Sequence, residues 1–75
     1  MLGGLSTLQL KMAIGEVLAR NDRADAFTIL DELGLRLGRG PFLSLTRVEA
    51  TLLALESAGH VRASREGSRI HYALV

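Results

Sequence analysis

One succession of residues limits this chain more than any other. An apolar stripe, Leu45, Val48, Leu52 and Leu55, recurs at helical spacing over about Leu45–Ala58. Ser44 stands just before it as an N-cap. Thr46-x-x-Glu49 is a rival capping box two residues later, but Ser44 is preferred because Leu45 then opens the stripe. Gly59 supplies the left-handed stop. Two short stretches of alternating residues follow, about His60–Ala63 and Ile70–Val75, around a polar turn Arg65-Glu66-Gly67-Ser68. The alternation puts Val61, Ala63, Ile70, Tyr72 and Leu74 inward and Arg62, Arg69 and His71 outward. Helix, glycine stop, hairpin is the order of a recognition helix followed by a wing.

The residues before this block supply two more helices. Gly3-Gly4 makes residues 1–5 a flexible arm, and Ser6 or Thr7 caps a helix over about Leu8–Arg20. Leu10, Ile14, Val17 and Leu18 form its core stripe; Leu8 and Met12 widen it, and Leu5 joins from the preceding turn. This is more apolar surface than one face of a small domain usually needs, so the helix is either central and well buried or packs against a second subunit as well. After Asn21-Asp22, a second helix runs from about Asp25 to Leu37, with Asp22 or Asp25 as its cap. Ala26, Phe27, Ile29, Leu30 and Leu33 turn to the core, and Gly34 weakens its last turns. Gly38-Arg39-Gly40-Pro41 breaks the chain, and Phe42-Leu43 is expected to add a short strand to the hairpin. With 75 residues the sequence is expected to make a single domain over 1–75. Its class is α+β, mainly α: three helices plus a C-terminal two-stranded β-hairpin wing, a winged helix-turn-helix.

Charge is distributed unevenly along the chain. The total is +1, yet residues 1–35 carry Lys11, Arg20 and Arg23 against five carboxylates, while residues 36–75 carry six arginines against Glu49, Glu56 and Glu66. Such a basic half is the electrostatic footprint of a polyanion partner. On a helical wheel the face opposite the stripe holds Thr46, Arg47, Ala50, Leu53, Ala54 and Ser57. In helix-turn-helix proteins the first residues of the recognition helix reach base edges in the major groove. Thr46, Arg47 and Ala50 are therefore the candidate readers, and Ser44 with the free first-turn N–H groups is a candidate phosphate holder. Arg36 and Arg39 before the helix, and Arg62, Arg65 and Arg69 on or beside the hairpin, are candidate backbone contacts. Double-stranded DNA is the expected partner.

Other classes find no support in these residues. There is no cysteine, and two histidines are too few for a metal cage. No catalytic motif or phosphate loop is present, so neither an enzyme nor a cofactor is expected. No segment approaches a membrane span, and the start lacks a signal peptide's basic region, so a cytoplasmic protein is expected. Eight arginines against one lysine, with abundant alanine and leucine, suggest a GC-rich bacterial genome.

The chain resembles the PadR family of bacterial transcription regulators. The match runs through Phe27–Leu33, Ser44–Val61 and Gly67–Leu74, about two-thirds of the chain, and rests mainly on Leu55-Glu56-x-x-Gly59-x-Val61 and Tyr72-x-Leu74. The ending also looks like ArsR-type repressors, and each motif recurs in several winged-helix families. The resemblance implies a dimeric repressor on a palindromic operator, with Ser44, Thr46, Arg47 and Ala50 in the recognition helix and Arg65 and Arg69 in the wing. PadR-like proteins often carry an aromatic residue where this chain has Glu49, and they dimerise through C-terminal helices that have no counterpart before Val75. A homodimer here is therefore expected through the N-terminal helix and arm, by Leu2, Leu5, Leu8 and Met12. An alternative is a winged helix that docks a protein partner through the Ala50/Leu53/Ala54 face.

Overall fold

A computed structural model describes residues 6–38 and 43–75. Its elements run α1 (Thr7–Arg20), β1 (Ala24–Asp25), α2 (Ala26–Leu37), α3 (Leu45–Ser57), β2 (Val61–Glu66) and β3 (Arg69–Leu74). Each helix starts on a capping side chain. Ser6 accepts from the Gln9 N–H at 3.1 Å while Gln9 Oε1 accepts from the Ser6 N–H at 2.9 Å, a full capping box. Asp25 accepts from the Thr28 N–H at 2.8 Å. Ser44 accepts from the Arg47 N–H at 3.2 Å, so α3 begins at Leu45 as expected.

The core forms where the three helices meet the sheet. Leu10, Ile14 and Val17 of α1, Ile29 and Leu33 of α2, and Val48 and Leu52 of α3 are fully buried, each stabilising the fold by roughly 1.5–3 kcal/mol. Leu55, Val61 and Ala24 close the cluster, with Leu30, Leu43, Leu45 and Tyr72 packed against it. Gly59, at φ +82°, turns the chain out of α3 and into the hairpin. The hairpin turn is tighter than expected. Glu66 pairs with Arg69, which leaves two residues, Gly67 and Ser68, in the loop. Only Gly67, at φ +62°, is positive, the pattern of a type II′ turn.

Several expectations are corrected here. The third strand is Ala24–Asp25, antiparallel to β3 through Ala24↔Tyr72 and Asp25↔His71, giving the order β1-β3-β2 with β2 at an outer edge. Leu43 is not in a strand but packs on the core, and Phe42 lies outside the described residues. Phe27 is 66% exposed, because Ala26, Ile29 and Leu33 define the buried side of α2 and residue 27 falls at its margin. As expected, α2 continues to Leu37, with Gly34 buried inside it, and stops at Gly38, φ +81°. On the hairpin, Ile70 and Leu74 are exposed rather than inward, and His71, paired with Asp25 of β1, is half-buried rather than outward.

Candidate nucleic-acid interface

α3 buries Val48, Thr51, Leu52 and Leu55 and leaves Thr46, Glu49, Ala50, Leu53, Ala54 and Ser57 in solvent. Thr51 avoids an unsatisfied hydroxyl by donating to the Arg47 carbonyl at 2.8 Å. Of the expected readers, Thr46 and Ala50 are exposed near the start of the helix, as is Ser44, the expected phosphate holder. Arg47 is half-buried and engaged in interactions of its own, so it stands less freely on the outward face than the wheel suggested.

The hairpin packs against the C-terminal part of α3, where the His60 N–H donates to the Leu55 carbonyl at 2.9 Å. Opposed residues of a ladder share a face, and successive residues alternate. Arg62, Ser64 and Glu66 therefore share one face with Ala73, His71 and Arg69, while Arg65 lies opposite Ile70 on the other. Arg62 and Arg65 are exposed and form no ion pair among the described residues. Arg69 instead reaches Asp25 Oδ2 at 3.4 Å, and Arg36 is tied to Glu16 at 2.7 Å across α1 and α2. Arg39 lies outside the described residues.

Sequence reasoning missed the network that fixes the wing. Arg23, from the segment leading into β1, meets Glu66 at 2.8 Å, and His71 Nε2 lies 3.6 Å from the other Glu66 oxygen. The Arg23 hydrogen bond, and then its charge, hold the Glu66 carboxyl below its ordinary range. Asp25 is depressed first by the Thr28 backbone N–H, then by the Thr28 side chain and, more weakly, by the charges of Arg69 and His71. His71 Nδ1 is buried with no hydrogen-bond partner. Only the ladder register, invisible in sequence, brings residues 23–25 to residues 66–71.

A groove of about 420 Å³ opens between the start of α2, α3 and β3. Phe27, Asp31, Glu49, Arg69, Ile70 and Tyr72 are among its lining residues. The Tyr72 hydroxyl is raised above its usual pKa, first by burial and then by the negative charges of Glu49 and Glu56. Among the described residues no group of histidines and carboxylates is arranged to hold a metal ion, and no helix is long and apolar enough to cross a membrane.

The element order, with its hairpin behind the third helix, has close counterparts among solved structures. The Zalpha domain of Carassius auratus PKZ, solved in complex with Z-DNA, superposes with a TM-score of 0.73 at 25% identity, covering 92% of this chain and 97% of that one. The fold is a winged helix. The DNA-binding domain of the repressor BlaI gives a TM-score of 0.71 at 17% identity, over 87% of this winged helix and 74% of that chain. A HOP2 structure described in terms of DNA recognition gives 0.70 at 17%, over 88% and 97%. No protein-family model matches this sequence, and no curated protein does.

Proposed function

We propose that this winged helix is a sequence-specific DNA-binding transcriptional regulator of bacterial, PadR-like type, acting in the cytoplasm as a homodimeric repressor. The observation that carries the reading is the pair Arg62 and Arg65: exposed, without ion pairs among the described residues, and on the hairpin that packs against α3. In this reading α3 enters the major groove, Ser44, Thr46, Arg47 and Ala50 meet bases and phosphates, and Arg62, Arg65 and Arg69 meet the backbone as the wing. Arg36, tied to Glu16 at 2.7 Å with its side chain only 25% exposed, is left out, whereas the Arg69 side chain stays 73% exposed at 3.4 Å from Asp25 and is still within reach of a phosphate. Support comes from the likeness to the PKZ domain solved on DNA and to the DNA-binding domain of a repressor.

The test is a titration against duplex DNA at two salt concentrations. Binding should weaken with salt, and Arg65→Ala should weaken it on every sequence while lowering the salt slope by about 1. Parent-like binding by both Arg62→Ala and Arg65→Ala would remove the wing from the interface. A second reading, a module that docks a protein through Ala50, Leu53 and Ala54, is favoured by Leu53 standing 63% exposed in mid-helix. It takes over if no salt-dependent DNA binding is seen at low salt.

A further inference from the structure

The groove between α2, α3 and β3 has a chemistry that a nucleic acid does not match. Its arginine, Arg69, is held 3.4 Å from Asp25, which lines the same groove, so the two offset each other. Glu49 is exposed, forms no ion pair among the described residues, lines the groove, and is near enough for its charge to act on Tyr72. Asp31 adds a second carboxylate, one that is engaged within the fold. Beside the small polar side chains of Thr28 and Ser68, the walls include Phe27 at 66% exposure, Ile70 at 37% and the ring of Tyr72. A phosphate entering here meets carboxylates; a guanidinium meets a carboxylate and two aromatic faces.

We propose that this groove receives an arginine side chain of a partner protein, with Glu49 as the carboxylate that pairs with it and Phe27 and Tyr72 as the rings on which it stacks. Charge complementarity selects the occupant. A carboxylate binds guanidinium through two parallel hydrogen bonds, and an aromatic face attracts the same cation. Size agrees, since about 420 Å³ holds one or two side chains and not a duplex. The chain as a whole carries +1, so a cation gains nothing from its overall field and must find the carboxylates locally. Glu49 begins the mid-portion of α3, so an occupied groove also brings positive charge beside the helix face proposed to meet DNA. The groove does not depend on that DNA reading.

The experiment uses fluorescein-labelled, amidated peptides that differ only at a central arginine, citrulline or glutamate. Anisotropy measures binding to the full chain, and backbone amide shifts at residues 27, 49 and 72 report its place. The arginine peptide should bind saturably, and the citrulline and glutamate peptides should not. Glu49→Gln and Phe27→Ala should each weaken it about ten-fold; both residues are exposed, and an unchanged melting temperature confirms that the variants fold. Equal binding of arginine and citrulline peptides, or affinity untouched by both substitutions, overturns the proposal. So does a Glu49→Gln variant that loses self-association without the peptide ever binding, because the occupant is then a second copy of the chain.

Discussion

Asp25 joins three parts of the molecule at one residue. It ends β1, caps α2 through the Thr28 N–H, and holds Arg69 of β3. Its carboxyl is depressed in the folded protein, mainly by the cap, against an unfolded value of about 3.9. A group with a depressed folded pKa contributes stability that is fully present above its unfolded pKa and is lost as pH falls through the folded one. Acid should therefore weaken the fold from about pH 4 downward. Asp25→Asn keeps a cap acceptor but cannot titrate, so its loss of stability between pH 7 and pH 3 should be smaller than the parent's, read by urea unfolding at each pH. Asp25→Ala should cost about 0.5–2 kcal/mol at pH 7. An asparagine variant as acid-sensitive as the parent would show that another carboxylate sets the acid limit.

At the scale of elements, α3 and its exit are governed by local chemistry. Gly59 sits at φ +82° with open space where a side chain would go, so Gly59→Ala meets backbone strain and no clash. It should destabilise by about 1–2 kcal/mol without changing the fold, as a shifted thermal midpoint with an unaltered circular dichroism spectrum. A variant as stable as the parent would mean that the exit from α3 is not strained. The same locality made α3 legible in the sequence: Ser44, the stripe from Val48 to Leu55 and Gly59 each act within a few residues of themselves. β1 was not legible, because two residues cannot show alternation and their partners, His71 and Tyr72, lie far along the chain. Phe27 misled for a related reason: an apolar residue at the margin of a helix stripe reads as core until the neighbouring elements are in place. The candidate site divides likewise. The exposure of Thr46 and Ala50 follows from helical period alone, whereas the ion pairs that occupy Arg36 and Arg69 depend on tertiary neighbours.

At the scale of the whole molecule, the proposed regulator meets its DNA as a dimer, and α1 is the element expected to make that dimer. α1 buries Leu10, Ile14 and Val17 but leaves Leu8 67% and Met12 61% exposed, one turn apart on the same side. Leu2 and Leu5, the other residues expected at a dimer interface, lie outside the described residues. If α1 makes the dimer, a Leu8→Lys and Met12→Lys double variant should sediment as a monomer with its melting behaviour retained at high dilution. Its DNA affinity should fall as well, because two linked wings bind more tightly than one. An unchanged mass would move the interface away from α1. The sheet carries a separate obligation. β2 has no strand on its outer side among the described residues, so part of its backbone is open to pairing. An open edge templates intermolecular β-pairing, and natural proteins deter it with charged side chains. Arg62, Arg65 and Glu66 hold those positions here, so the two arginines proposed to touch phosphate also guard the open edge, and a variant lacking both should aggregate more readily whether or not it still binds DNA.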